Sequence, residues 1–184
     1  EKLLRDAVVM PIYEGTSQIQ SLMAMKDNLM GIVKNPRRFA RKVAKARWTG
    51  VSARDPLEAR VARLQTTKYE ALRFLLTRLA ANKLKEVRKR PLGEWGDALK
   101  DFDPKRDFAL AMLHAERLTG ILTDAAVADI LWDQAQRDPA RRELLERWLE
   151  RAEPRTRYLH DQITTTGLRL LARLSGTGEV EEHA

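Results

Sequence analysis

The chain of 184 residues contains no cysteine, so disulfide bonds, thiolate metal sites and cysteine nucleophiles are excluded. It has no run of about 18 apolar residues, the length that a membrane-spanning helix needs. The first residues lack the basic-then-apolar order of a signal peptide. Alternation of apolar and polar residues, which is typical of a half-buried strand, is almost absent. These absences predict a helical protein, and they fit a cytoplasmic location.

The charge balance is that of a soluble globular chain with a basic surplus. Charged residues make up 33% of the sequence and apolar residues 43%. Thirty-four lysines and arginines against twenty-six acidic residues give a net charge of +8. A basic surplus favours acidic partners such as nucleic acid, anionic lipid or a phosphorylated ligand. It fits a solvated surface equally well, because acids and bases alternate through most of the chain.

Proline marks the predicted helix starts. In "RDPLEAR", "FDPKRD" and "RDPARRE" an aspartate at the N-cap position precedes a proline at the first helical position. Pro154 in "AEPRTR" predicts a further break. With apolar residues spaced by three and four, the sequence predicts helices over 16–33, 36–46, 56–88, 104–136, 139–151 and 154–174.

Two of these helices are long and carry a broad apolar stripe. The first stripe consists of Leu57, Val61, Leu64, Tyr69, Leu72, Leu75, Leu76 and Leu79. The second consists of Phe108, Leu110, Leu113, Leu118, Ile121, Leu122, Ala125 and Leu131. Such stripes bury against other helices, which predicts an all-α fold, an antiparallel helical bundle.

The stretch "RDAVVMPIYEGTSQIQ" near the start differs from the surrounding helical patterns. It resembles the C-terminal signature of the acyl-CoA dehydrogenases, in which Arg-Asp-Ala is followed by Tyr-Glu-Gly-Thr, a variable residue and Gln-Ile-Gln. The matching residues are Arg5, Asp6, Ala7, Tyr13, Glu14, Gly15, Thr16, Gln18, Ile19 and Gln20. The resemblance covers about the first thirty residues, and the rest matches only as a helical extension of the kind that longer members carry.

The resemblance implies that Glu14 is the base that removes the α-proton of an acyl-CoA thioester while FAD accepts the β-hydrogen as hydride. The product would be a trans-2-enoyl-CoA, as in fatty acid β-oxidation, and an electron-transfer flavoprotein would reoxidise the flavin. The family also implies a homo-oligomer. The position of Glu14 suits a base, since Tyr13 and apolar Ile12 beside it could exclude water and raise its pKa.

The residues around Glu14 also have roles in the family. The resemblance implies that Tyr13 and Gly15 border the substrate and that Thr16, Ser17 and Gln18 contact FAD. A helix that begins at Thr16 would direct free backbone amides outward, and such a terminus favours an anion such as a pyrophosphate. The simpler alternatives are a surface glutamate at position 14 and ordinary helix capping by Thr16.

The resemblance divides the chain into four parts. Residues 1–35 would be the last part of the catalytic helical domain, and residues 36–55 would form a basic helix and linker. Residues 56–175 would form a helical-bundle extension, and residues 176–184 would be a disordered tail. We expect a C-terminal fragment that lacks the upstream flavin-binding domains and is inactive alone. The alternative is a helical interaction module that mediates dimerisation, membrane-surface binding or nucleic-acid binding.

The segment "KNPRRFARKVAKARW" contains seven basic residues and no acidic one. Its helical spacing predicts a basic amphipathic helix with a cationic face formed by Arg37, Arg38, Arg41, Lys42 and Lys45. This face could lie on an anionic membrane, contact the phosphates of nucleic acid, dock on acidic protein surfaces or remain solvated.

No metal site is predicted. His114 and His160 are isolated on predicted helices, and no paired ligand spacing such as HExxH occurs. Both histidines are therefore interpreted as core or surface residues. Trp132 and Trp148 are interpreted as packing residues.

Overall fold

The computed structural model describes residues 17–88, 91–95 and 108–174. Within these ranges the protein is all-α and contains no strand, which confirms the predicted helical bundle. The α-helices are α1 (Ser17–Lys34), α2 (Pro36–Ser52), α3 (Pro56–Val87), α4 (Ala109–Leu113), α5 (Ala115–Arg137), α6 (Arg142–Thr165) and α7 (Leu168–Leu174). Short 3-10 turns occupy Leu92–Glu94 and Pro139–Arg141. None of the described helices is both long enough and apolar enough to cross a membrane.

Helix α5 is the centre of the bundle and packs against α1, α3 and α6. Most of its buried residues belong to two apolar clusters. The larger cluster joins α1, α3, α4, α5 and α6 through Met25, Leu29, Ala71, Leu72, Leu75, Phe108, Leu110, Ala111, Ala115, Leu118, Ile121 and Ile163. The smaller joins α3, α5 and α6 through Leu57, Val61, Leu64, Ala128, Leu131, Ala135, Leu145, Leu149 and Ala152. Full burial of each leucine or isoleucine contributes about 1.5–3 kcal/mol, so these clusters hold the helices together.

Two of the predicted aspartate caps are present. Asp55 Oδ1 accepts a hydrogen bond from the backbone N–H of Leu57 at 2.9 Å, and Asp138 Oδ1 accepts one from Ala140 at 3.0 Å. Helices α2 and α3 begin at Pro36 and Pro56 as predicted. The prediction ended the second helix too early, since α2 continues to Ser52 where Ala46 and Gly50 are buried against α3.

The predicted break at Pro154 is wrong, because α6 runs through it from Arg142 to Thr165. A proline inside a helix removes one backbone hydrogen bond, here the bond to the carbonyl of Glu150. Pro154 and Glu150 are both exposed, so water can solvate that carbonyl. Burial of Leu149 and Ala152 on the opposite side holds the helix together across the proline.

The chain breaks instead at Thr166 and Gly167. Thr166 is extended, and Gly167 has a φ of +92°, a left-handed conformation that residues with a Cβ rarely adopt. The predicted helix over 104–136 is likewise divided by a turn at His114, and its first four residues lie outside the described ranges.

Candidate functional site

Tyr13, Glu14, Gly15 and Thr16, which include the base that the resemblance implies, lie outside the described residues. Ser17 and Gln18 are described, and both are exposed in the first turn of α1. Neither side chain hydrogen bonds to another described residue, so both keep their polar groups available. No acidic residue occurs in that first turn, so no carboxylate there would repel an anion.

The predicted basic helix is α2, and its two faces differ as expected. Ala46 and Gly50 are buried towards α3, and Phe39 and Val43 are half-buried on the same side. The five predicted cationic residues, Arg37, Arg38, Arg41, Lys42 and Lys45, are all exposed. None of the five forms an ion pair or hydrogen bond with another residue in the described ranges. Their charges are therefore available to an external partner.

The cationic residues of α2 separate into two groups. Arg38, Lys42 and Lys45 line cavities between α2 and the rest of the bundle. Arg37 and Arg41 line none of the described cavities and lie on the outward side of the helix. The outward side also carries Trp48, which is 71% exposed.

A long open depression, the central furrow, separates α2 from α5. Helix α2 packs on α3, whereas no Cα atom of α2 lies within 8 Å of one in α5, so α3 forms the floor between them. Two adjoining cavities of about 590 Å³ and 410 Å³ make up the furrow. Both cavities are lined by Lys42, Tyr69 and Asp129, one residue from each of the three helices. The end of α1, with Asp27 and Ile32, closes the larger cavity.

The floor of the larger cavity is apolar and aromatic. The rings of Phe39 and Tyr69 meet edge to face, with centroids 5.7 Å apart and an angle of 86° between their planes. Leu72 and Leu122 continue this surface. Burial raises the pKa of the Tyr69 hydroxyl, so Tyr69 stays neutral at physiological pH.

A polar network lies where the two cavities adjoin, with Lys68 in the lining of the larger cavity and Gln65 in that of the smaller one. The ammonium group of Lys68 donates to Gln65 Oε1 and lies 4.5 Å from the centroid of the Tyr69 ring. Gln65 Nε2 donates to the Ala125 carbonyl at 2.9 Å, which fixes the amide. Burial lowers the pKa of Lys68, while Asp129 acts in the opposite direction. Burial also raises the pKa of the Asp129 carboxyl, which Lys68 counteracts.

The two charges of Lys68 and Asp129 therefore partly offset each other across the furrow without forming an ion pair within 4 Å.

The sequence interpretation did not select these residues. A signal was present, because Gln65 and Lys68 fall in helical phase with the buried Val61, Leu72 and Leu75. Polar residues at such positions indicate either an internal network or a cavity.

Two other buried polar groups serve packing. His114 is fully buried, with Nε2 lying 3.2 Å from the Thr166 carbonyl oxygen. It is a core histidine, in agreement with one of the two predicted roles. Asp124 is also buried and is bound by Arg155 and Thr156 of α6. The described ranges hold no group of three or more metal-ligating side chains.

Trp132 and Trp148 are half-buried and pack against the smaller apolar cluster. The Trp148 ring nitrogen donates to the Asp124 carbonyl at 3.3 Å. Both tryptophans therefore have the packing role that the sequence predicted.

No protein-family model matches the chain, and no curated protein or solved structure does either. The functional argument therefore depends on the residues of this chain alone.

Proposed function

We propose that the chain forms the C-terminal part of an FAD-dependent acyl-CoA dehydrogenase, which converts an acyl-CoA into its trans-2-enoyl form. The observation that carries the proposal is the ordered string "RDAVVMPIYEGTSQIQ". A lone Glu-Gly-Thr would indicate little, but ten matching positions in the family's order are specific. The all-α fold and helix α1, which begins within the string at Ser17, are compatible with this assignment.

In this proposal Glu14 removes the α-proton of the thioester. An α-proton of this kind is weakly acidic, so the base must be positioned by the protein and shielded from water. The negative charge that develops on the thioester oxygen needs hydrogen-bond donors, and the backbone N–H of Glu14 is one candidate. Tyr13 and Gly15 would border the acyl group.

The residues proposed to hold FAD are Thr16, Ser17 and Gln18. Ser17 and Gln18 fit this role because their polar side chains are exposed at the beginning of a helix without an acidic residue in its first turn. FAD, when bound, supplies the acceptor for the β-hydride. The further expectations are reoxidation by an electron-transfer flavoprotein and assembly as a homo-oligomer.

The test is Glu14→Gln in the full-length protein, assayed with a short and a long acyl-CoA. We expect dehydrogenation to fall by orders of magnitude while FAD absorbance per protein is unchanged, because glutamine cannot accept the proton. Glu116→Gln is the matched control, since Glu116 is an exposed glutamate on α5. Unchanged turnover in Glu14→Gln would remove this residue from the mechanism.

A second candidate function is a helical interaction module that binds an anionic surface. The observation that favours it is the outward side of α2, where exposed Arg37 and Arg41 accompany the 71% exposed Trp48. Exposed cations attract phosphates, and an exposed tryptophan suits either a lipid interface or a stacked base.

This candidate is tested by charge reversal at Arg37 and Arg41, with binding to anionic liposomes and to DNA measured separately. Retention of the protein by liposomes or DNA that falls with added salt and is lost in the charge-reversed variant would support the interaction function. If the unmodified protein is retained by neither surface, the interaction function is excluded for both.

A further inference from the structure

We propose that the central furrow is a binding site for a nucleotide, that is, an elongated organic phosphate with a sugar and a planar ring. The proposal goes beyond the dehydrogenase assignment and does not depend on it. Every residue that carries it lies on α1, α2, α3 or α5, within the described part of the chain.

The size and shape of the furrow suit such a ligand. Its two cavities of about 590 Å³ and 410 Å³ both fall in the range of roughly 300–1,000 Å³ that is usual for small-molecule sites. They adjoin at Lys42, Tyr69 and Asp129 and follow α2 from Asn35 to Thr49. At a rise of about 1.5 Å per residue this length is on the order of 20 Å, so the site is a channel rather than a round pocket.

Three cations converge on the larger cavity from two helices. Arg38 and Lys42 come from α2, and Lys68 comes from α3. Arg38 and Lys42 have no ion-pair partner among the described residues. Arginine binds phosphate oxygens in a bidentate manner and lysine provides a point charge, which together form a common phosphate-binding set. This convergence is what distinguishes the furrow from the outward side of α2.

The aromatic floor provides an apolar surface that the edge or one face of a planar ring can contact, although Lys68 lies over the Tyr69 ring. Phe39 and Tyr69 lie beside the cations, and Ile32, Leu72 and Leu122 extend the apolar surface. A base that contacts this floor would be shielded from water on one face, which favours a ring-bearing phosphate over phosphate alone.

The carboxylates of the furrow are compatible with a nucleotide. Asp129 is partly offset by Lys68, while Asp27 lines only the larger cavity and Glu58 only the smaller one. Carboxylates accept hydrogen bonds from sugar hydroxyls, so an acidic group near a phosphate site is expected for a ribose-containing ligand. The lining therefore matches the three parts of a nucleotide: the cations suit the phosphates, the carboxylates suit the sugar hydroxyls and the aromatic rings suit the base.

The test is titration calorimetry of the 184-residue chain with ATP. The variant is Arg38→Gln with Lys42→Gln, and the matched control is Arg37→Gln with Arg41→Gln on the outward side of the same helix. Both double variants remove two positive charges from exposed positions of α2. We expect the furrow variant to weaken ATP binding by at least about tenfold, which corresponds to loss of one good charged contact. The outward variant should bind ATP with a dissociation constant within about twofold of that of the unmodified chain. A change of this size is smaller than the loss of one charged contact.

Three results would overturn the proposal. The first is the absence of ATP binding by the unmodified chain at millimolar concentration. The second is equal weakening by the two double variants, which would show attraction to a diffuse basic surface. The third is binding of inorganic triphosphate as tightly as ATP, which would show that the aromatic floor takes no part. Far-ultraviolet circular dichroism of both variants establishes that the helices are retained.

Discussion

The carboxylate of Asp124, in the middle of α5, is bound by the guanidinium of Arg155 from α6. Arg155 Nε donates to Oδ2 at 2.9 Å, and its Nη2 donates to Oδ1. Asp124 is 1% exposed, whereas the Arg155 side chain is 50% exposed. The pair therefore joins a buried anion to a cation at the surface, and the hydroxyl of Thr156 donates a further bond to Oδ2 at 3.2 Å.

Asp124→Ala should destabilise the fold by about 2–4 kcal/mol, because it leaves the Thr156 hydroxyl unpaired in a buried site and removes the anchor of Arg155. Urea denaturation measures this change. The matched control is Glu143→Ala, which breaks the exposed ion pair with Arg147 within α6. That loss should cost less than about 0.5 kcal/mol. Equal effects would contradict a special role for the buried carboxylate.

The two hydrogen-bond partners of His114 fix which ring nitrogen carries the proton. Arg117 Nη1 lies 3.2 Å from Nδ1, and because arginine only donates hydrogen bonds, Nδ1 must be the acceptor. The protonated Nε2 then donates to the Thr166 carbonyl. Burial lowers the pKa of His114 below its ordinary value of 6.5; the hydrogen bond to Thr166 opposes this shift, and the charge of Arg117 adds a smaller lowering.

This shift predicts the sign of a pH effect on stability. Below pH 6.5 the unfolded chain binds a proton at His114 more readily than the folded chain does. The contribution of His114 to the free energy of unfolding should therefore be constant above this pH, and the free energy should fall as the pH drops through 6.5. Urea denaturation over this range should lose part of its pH dependence in His114→Gln and keep it in the control His160→Gln. An unchanged pH dependence in His114→Gln would show that this histidine is not responsible.

Gly167 is the residue on which the end of α6 depends. A Cβ at this position would lie 2.7 Å from Leu113 Cδ2 and 2.9 Å from His114 Nε2, with φ at +92°. Gly167→Ala should therefore lower the stability by about 1–3 kcal/mol, through backbone strain and displacement of His114. Gly31→Ala is the control, because a Cβ there would meet nothing within 4 Å. Alanine in that helical position should raise the stability by about 0.5–1 kcal/mol. Urea denaturation measures both changes. A denaturation midpoint of Gly167→Ala at or above that of the unmodified protein would contradict the strain assigned to this position.

Local features of the fold could be predicted from the sequence because they depend on neighbouring residues. The Asp55 cap bonds to a residue two positions away, and the apolar stripe of α3 repeats within one helix. Pro154 shows the limit of this reasoning. Whether a proline ends a helix depends on its packing partners, which here come from α3 and α5.

The central furrow could not be predicted in the same way. It exists because the backbones of α2 and α5 stay more than 8 Å apart, and α3 separates the two helices in the chain. The basic face of α2 was predicted correctly. Its division into two groups, Arg38 and Lys42 in the furrow and Arg37 and Arg41 on the outward side, depends on the position of α5. Asp124 and Lys68 give a partial signal, because each is a charged residue at an apolar helical position.

The dehydrogenase assignment depends on Glu14 acting as the base towards the α-carbon of an acyl-CoA. Its most direct test is exchange of the α-proton with solvent deuterium, followed by NMR in the full-length protein under conditions where oxidation is blocked. The account predicts measurable exchange in the unmodified protein and in Glu116→Gln, and a loss of orders of magnitude in Glu14→Gln. Exchange that continues at the same rate in Glu14→Gln would contradict the account.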